Sequence, residues 1–179
     1  MQTKSILLDA AAMDRALIRV AHQILEQFPE HEKDICLVGI KTRGLPLAQQ
    51  LAGNIARISG YRPEVGALDI SLYRDDLSEV SDMPRTGALQ LPFSPKGRIV
   101  VLCDDVIFTG RTARAAMDAL IREGRPKRIA LFALIDRGYR ELPIRPDFVG
   151  KNVPTSRSEA IQVCLPQTDA EQCVKLVSL

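Results

Sequence analysis

Hydrophobic and polar positions change period along the chain, and the changes predict alternating helices and strands. From Asp9 to Phe28 the apolar residues Met13, Leu17, Val20, Ala21, Ile24, Leu25 and Phe28 recur every three or four positions. That spacing predicts an amphipathic helix with Asp9 as its N-cap. Ile35-Cys36-Leu37-Val38-Gly39-Ile40 is a continuous apolar run, the texture of a strand buried on both faces. After Lys41-Thr42-Arg43-Gly44, Pro46 suits a first helical turn, and Leu47, Leu51, Ile55 and Ile58 carry a helix that Gly60 ends. Leu68, Ile70 and Leu72 alternate with Asp69, Ser71 and Tyr73, the pattern of a strand with one less buried face. Residues 74–97 lose all periodicity and collect prolines and glycines, which predicts a functional lid or a disordered loop.

The alternation then resumes. Arg98–Cys103 is the strongest strand signal, Ala113, Ala116, Met117, Leu120 and Ile121 mark a helix ending at Gly124, and Arg128–Ile135 reads as a further strand. Strand and helix alternating in units of about 30 residues predict right-handed βαβ crossovers. The predicted fold class is therefore α/β, a mostly parallel sheet flanked by helices. Residues 136–179 differ, with prolines at 143, 146, 154 and 166 and strand-like pieces at Phe148–Val149, Ala160–Leu165 and Cys173–Val177. They predict a small cap on the sheet, within a single domain spanning 1–179.

Composition narrows the class of function. A chain of 179 residues, 46% hydrophobic and 26% charged, is one ordinary globular core, not extended disorder. With 24 Lys and Arg against 22 Asp and Glu the net charge is +2, so any nucleic-acid contact must come from a local patch. No apolar run approaches the roughly 20 residues that cross a bilayer. The start, MQTKSILLDAAAMDRALIRV, turns charged too early for a secretory signal. Cys36, Cys103 and Cys164 lie in apolar runs and no CxxC or Cys/His spacing occurs, which predicts buried free thiols in a reducing cytoplasm.

Chemistry is expected beyond the carboxyl ends of the strands, where open α/β sheets bind ligands. The richest such end is Val100-Val101-Leu102-Cys103-Asp104-Asp105-Val106-Ile107-Phe108-Thr109-Gly110-Arg111-Thr112. Adjacent carboxylates at the end of a buried strand repel and lose water, so they persist where something binds them. A ribose diol or a hydrated Mg²⁺ fits that need. The hydroxyls, glycine and arginine that follow open a helix, whose free N–H groups and dipole favour phosphate. The absence of GxxxxGK[ST] and GxGxxG disfavours a P-loop NTPase or a dinucleotide-binding domain.

The segment VVLCDDVIFTGRT, residues 100–112, resembles the phosphoribosyl pyrophosphate signature of type I phosphoribosyltransferases. GIKTRGLPLA at 39–48, DISLYRDDL at 69–77, GRTARAAMDALI at 110–121 and DRGYRELPIRPDFVGKNVPTS at 136–156 extend the likeness. Together they look like the bacterial pyrimidine-operon regulators that are also uracil phosphoribosyltransferases. The resemblance implies conversion of uracil and phosphoribosyl pyrophosphate to UMP and diphosphate. It implies Asp104 and Asp105 on the ribose hydroxyls, the 106–112 turn on the 5-phosphate, and Lys41, Thr42, Arg43 and Gly44 as the pyrophosphate loop. Arg74 and Arg85 would reach the diphosphate from the lid at 74–97. Asp136, Arg137 and the backbone near Ile161 would approach the base. Mg²⁺ would arrive on the diphosphate, with no dedicated protein ligand.

A second activity is implied beside the first. Arg15, Ile18, Arg19 and His22 make one stripe of the first helix, and Arg137, Arg140, Arg145 and Lys151 lie in the cap. The resemblance implies that such a surface grips the leader mRNA of a pyrimidine operon under control of uridine nucleotides, with no DNA or membrane partner and as a homodimer or homotetramer. Ile18 and Tyr139 stand where the pattern has threonine and histidine, which bears on RNA recognition more than on catalysis. Two other readings remain open: an attenuator with vestigial catalysis, and a hypoxanthine or guanine phosphoribosyltransferase.

Overall fold

The computed structural model describes residues 2–70 and 89–179. In chain order these form β1 (Gln2–Leu8), α1 (Ala10–Gln27), β2 (Ile35–Ile40), α2 (Gly44–Ser59), β3 (Glu64–Leu68), β4 (Leu89–Gln90) and β5 (Ile99–Ile107). There follow α3 (Arg111–Glu123), β6 (Arg128–Asp136), β7 (Phe148–Asn152), β8 (Glu159–Cys164), α4 (Pro166–Asp169) and β9 (Cys173–Ser178). Six strands build the main sheet in the order β4-β3-β2-β5-β6-β7. All neighbours are parallel except β4, which runs antiparallel to β3. The ends of β2, β3, β5 and β6 therefore share one rim. A three-stranded antiparallel sheet, β1-β9-β8, packs beside it.

Helices cover both faces because the central strands are apolar on both. Leu37, Val101, Cys103 and Phe132 face a core shared with α1, α2 and the small sheet. Val38, Val100, Leu102 and Leu131 face a second core closed by Ala113, Ala116 and Leu120 of α3. Asp9 caps α1, its Oδ1 accepting from the Ala12 N–H at 2.7 Å. All four cysteines are buried and free, and burial pushes the Cys36 thiol up to about 12 and that of Cys103 higher still.

Several boundaries differ from expectation, each for a local reason. The strand here runs Glu64–Leu68, earlier than the expected 68–72, of which Leu72 and Ser71 lie outside the described residues, and Gly66 dilutes the alternation that the pattern needs. Within the segment expected to be aperiodic, Leu89–Gln90 forms a two-residue strand paired with β3. β5 continues through both aspartates to Ile107 instead of ending at Cys103, held there by pairing of Asp104, Val106 and Ile107 with β6. Phe148–Asn152 joins the main sheet beside β6, not the cap. The third strand of the cap is the N-terminal Gln2–Leu8, whose mostly exposed positions carry no alternation to read.

Candidate active site

The two acids are the sixth and seventh of the nine residues of β5, where its alternation is interrupted. Val101, Cys103 and Val106 pack into one core, and Leu102 and Ile107 into the other, which leaves Asp104 and Asp105 at the crossing point. Each uses its own Oδ1 locally: Asp104 accepts from the Asp105 N–H and Asp105 from the Val106 N–H, both at 2.9 Å. Asp104 is 8% exposed, whereas Asp105 is half-buried. Burial, and then the neighbouring Asp105 charge, hold the Asp104 carboxyl well above its ordinary range. A pair in this state is relieved by hydroxyl donors or by a cation.

Two helix starts open on the same rim. α3 begins at Arg111 after Gly110, whose φ of 93° is the left-handed conformation that favours glycine. α2 begins at Gly44. Neither N-cap residue, Arg43 or Gly110, makes a side-chain cap, although the Arg111 N–H donates to Thr109 Oγ1 at 3.3 Å, and a helix start of this kind favours an anion. Adjacent parallel strands β2 and β5 bring the two starts side by side. The arrangement suits a ligand with anionic groups at two ends and hydroxyls between them.

The 41–44 loop packs tightly against the acid-bearing strand. A Cβ on Gly44 would lie 2.2 Å from the Cys103 carbonyl oxygen, so only glycine permits this approach. The Lys41–Thr42 peptide is cis, and both side chains are exposed. Arg43 leaves the rim: its Nη2 donates to Asp169 Oδ1 of α4 at 2.9 Å. Its Nε is buried without a partner among the described residues. Hydrogen bonds from Thr168 and the Leu165 N–H, assisted by Arg43, hold the Asp169 carboxyl down at about 2. The sequence offered no sign of this tie, because α4 carries no periodic signal.

The segment after β6 wraps the 108–110 turn. The Arg137 N–H donates to the Ile107 carbonyl at 3.2 Å, and the Glu141 and Leu142 N–H groups donate to Thr109 O at 3.0 and 3.1 Å. Arg140 is committed here, donating to Phe108 O, Ile144 O and Gly138 O and pairing with Asp136 Oδ2 at 2.6 Å. Asp136 Oδ1 accepts from the Gly138 N–H, so both of its oxygens are engaged. The Arg137 side chain is buried against the face of Phe108, 4.2 Å from its centroid, and bonds Thr155 Oγ1 and the Glu159 carbonyl. Burial lowers the pKa of its guanidinium. Ile161 lies on β8, half-buried against the main core, two residues from that carbonyl. Arg74 and Arg85 lie outside the described residues.

A sequence profile described as the phosphoribosyl transferase domain matches residues 4–168. The bifunctional protein PyrR of a Thermoanaerobacter species is 56% identical over 169 residues, covering 94% of either chain. That of Thermus thermophilus is 54% identical over 176 residues, 98% of this chain and 97% of its own. The chain belongs to the PyrR family of phosphoribosyltransferases. Its fold is also that of the hypoxanthine phosphoribosyltransferase of Trypanosoma cruzi, with a TM-score of 0.73 at 16% identity over 98% of this chain and 97% of that one. At such identity only the fold is shared.

The basic residues expected of a PyrR regulator divide into two groups. Arg137 and Arg140 are drawn inward around the 108–110 turn, as described above. Arg15, Ile18, Arg19 and His22 are exposed along α1, and Arg145 and Lys151 are exposed on the segment leading to and along β7. Arg19 bridges the two, its Nη2 donating to Gly150 O at 2.6 Å and Val149 O at 3.2 Å. A cavity of about 530 Å³ opens between α1 and α2, with Ile18, Arg57 and Arg62 on its wall. No helix of the described residues is long and apolar enough to cross a membrane.

Proposed function

We propose that the chain transfers the phosphoribosyl group of phosphoribosyl pyrophosphate to uracil. The observation that carries this reading is the buried Asp104–Asp105 pair set beside the uncapped starts of α2 and α3. Asp104 and Asp105 orient the ribose hydroxyls, the first turn of α3 holds the 5-phosphate, and Lys41 with the first turn of α2 holds the diphosphate. Uracil N1 bonds to ribose C1, the C1–O bond to diphosphate breaks, and the N1 proton passes to solvent. Positive charge grows on the sugar ring as the leaving group departs, and Asp104 and Asp105 would stabilise that charge. Mg²⁺ carried on the diphosphate would take up leaving-group charge. The carboxylate oxygens of Asp104 and Asp105 are of the hard donor class that Mg²⁺ takes. The base would be received near Phe108, the buried Arg137 and the backbone near Ile161, since Arg137 already joins Phe108 to the Glu159 carbonyl.

Diphosphate release that depends on uracil tests the reading, and turnover of hypoxanthine or guanine in its place overturns the base assignment. Arg43 is assigned to loop positioning, since Asp169 holds its guanidinium. A partly exposed ion pair is worth about 0.2–1 kcal/mol, so Asp169→Asn should raise KM for phosphoribosyl pyrophosphate no more than about fivefold, with kcat nearly unchanged. The tie is present above the ordinary carboxyl value of 3.8 and is lost as pH falls toward about 2. A steady-state measurement in which kcat collapses instead would move Arg43 or Asp169 into the chemistry itself.

The second activity rests on the exposed face of α1 and β7. Arg15, Arg19, Arg145 and Lys151 offer four cations, with His22 beside them, across two adjoining elements, although the net charge is only +2. Leader mRNA of a pyrimidine operon is the partner, and dimers or tetramers would extend the surface. Arg15→Ala and Arg145→Ala should weaken leader binding and flatten its salt dependence by about 0.7 per lost phosphate contact, with uracil transfer unchanged. Arg140→Ala is the wrong probe, because it frees the 108–110 turn as well. Salt-dependent filter binding that is identical in the wild type and both variants removes this surface from RNA recognition.

A further inference from the structure

The β8–β9 hairpin brings together two cysteines and a carboxylate that the transferase site does not use. Cys164 and Cys173 are direct cross-strand partners, and both are buried. Glu171, two residues before Cys173, is exposed and turns its carboxylate onto the same spot. One ligand atom from each of the three lies within 4.8 Å of the other two. We propose that Cys164, Glu171 and Cys173 bind one divalent cation of the zinc class, with a fourth position open to water.

The geometry suits a tetrahedral ion. Bonds of about 2.3 Å to sulfur and about 2.1 Å to oxygen place the sulfur and oxygen ligands about 3.6 Å apart. Cys173 Sγ and Glu171 Oε2 are separated by 3.5 Å. Lys175 Nζ holds the other oxygen, Oε1, at 2.6 Å, which fixes the carboxylate with Oε2 turned toward sulfur. Such outer partners orient metal ligands. Charge also balances: two thiolates and a carboxylate carry −3, a divalent cation +2 and Lys175 +1. Thiolates select against Mg²⁺, so the site is chemically separate from the diphosphate chemistry. Cys36 and Cys103 serve as internal controls, since among the described residues their thiols donate to the Ile99 and Val101 carbonyls, at 3.6 and 3.5 Å. The position matters because the loop between these strands also carries Asp169, the partner of Arg43.

The test is a titration of the reduced, chelator-treated full chain with Co²⁺, followed by displacement with Zn²⁺. The expected result is a thiolate-to-cobalt charge-transfer band saturating at one ion per chain, lost on adding Zn²⁺ and untouched by excess Mg²⁺. Cys164→Ser and Cys173→Ser should each weaken binding by about 100-fold. Glu171→Gln, at an exposed position that folding does not depend on, should weaken it by about tenfold. Zn²⁺ should raise the Tm of the wild type and not that of the Cys164→Ser, Cys173→Ser double variant. Absence of the band, or a band that survives in the double variant, overturns the site. So does a Cys164–Cys173 disulfide in the isolated chain with no cation uptake after reduction.

Discussion

Asp104→Asn should lower uracil-dependent diphosphate release by about 100- to 1000-fold and, at the same time, make the chain harder to unfold. The loss of rate is the size seen when one preorganised electrostatic group is removed from a transition state. The gain follows from the sign of the proton linkage. The Asp104 carboxyl is held above its ordinary value when folded, by burial and by the Asp105 charge. The folded chain then binds more protons than the unfolded one, so this residue costs stability increasingly as pH rises from the ordinary carboxyl range through the raised value. Asparagine has the same shape without the charge, so the cost disappears. Asp105→Asn should lose rate to a similar extent, and with less gain in stability because that residue is only half-buried. Thermal melts across pH, run beside initial rates, check both halves. A variant that loses rate and stability together would mean that the pair holds the strand end in place instead of the ribose.

Gly44→Ala should destabilise the fold by about 1–3 kcal/mol or more and abolish phosphoribosyl pyrophosphate binding, although it adds one methyl group. The added Cβ would meet the Cys103 carbonyl oxygen at 2.2 Å. That oxygen belongs to a central strand paired on both sides, so it cannot move away as a side-chain tip would. Overpacking against fixed backbone carries this range of cost, and here the start of α2 must shift away from the rim to relieve it. Gly53→Ala in the same helix is the matched control. Its Cβ would have nothing closer than the tip of Arg62 at 3.8 Å, and alanine at a helix interior stabilises by about 0.5–1 kcal/mol. Opposite shifts in urea midpoint for the two variants are the expected result. Equal shifts would show that the 41–44 loop has room the geometry denies it.

The sequence by itself determined the βαβ core and its chemical rim. Apolar runs such as Ile35–Ile40 and Ile99–Cys103 can be satisfied only between two layers of helix, and the acids and hydroxyls that interrupt them mark where burial ends. These are local properties, readable from periods of two and of three to four residues. The tertiary structure alone decided which distant segments meet. It added Gln2–Leu8 to the small sheet, placed Phe148–Asn152 on the edge of the main one, and drew Arg137 and Arg140 inward around the 108–110 turn. It also joined Arg43 to Asp169 and Cys164 to Cys173. Such pairings leave no periodic trace, because each depends on a hydrogen bond, an ion pair or a strand register between residues whose own neighbours in sequence say nothing of the partner.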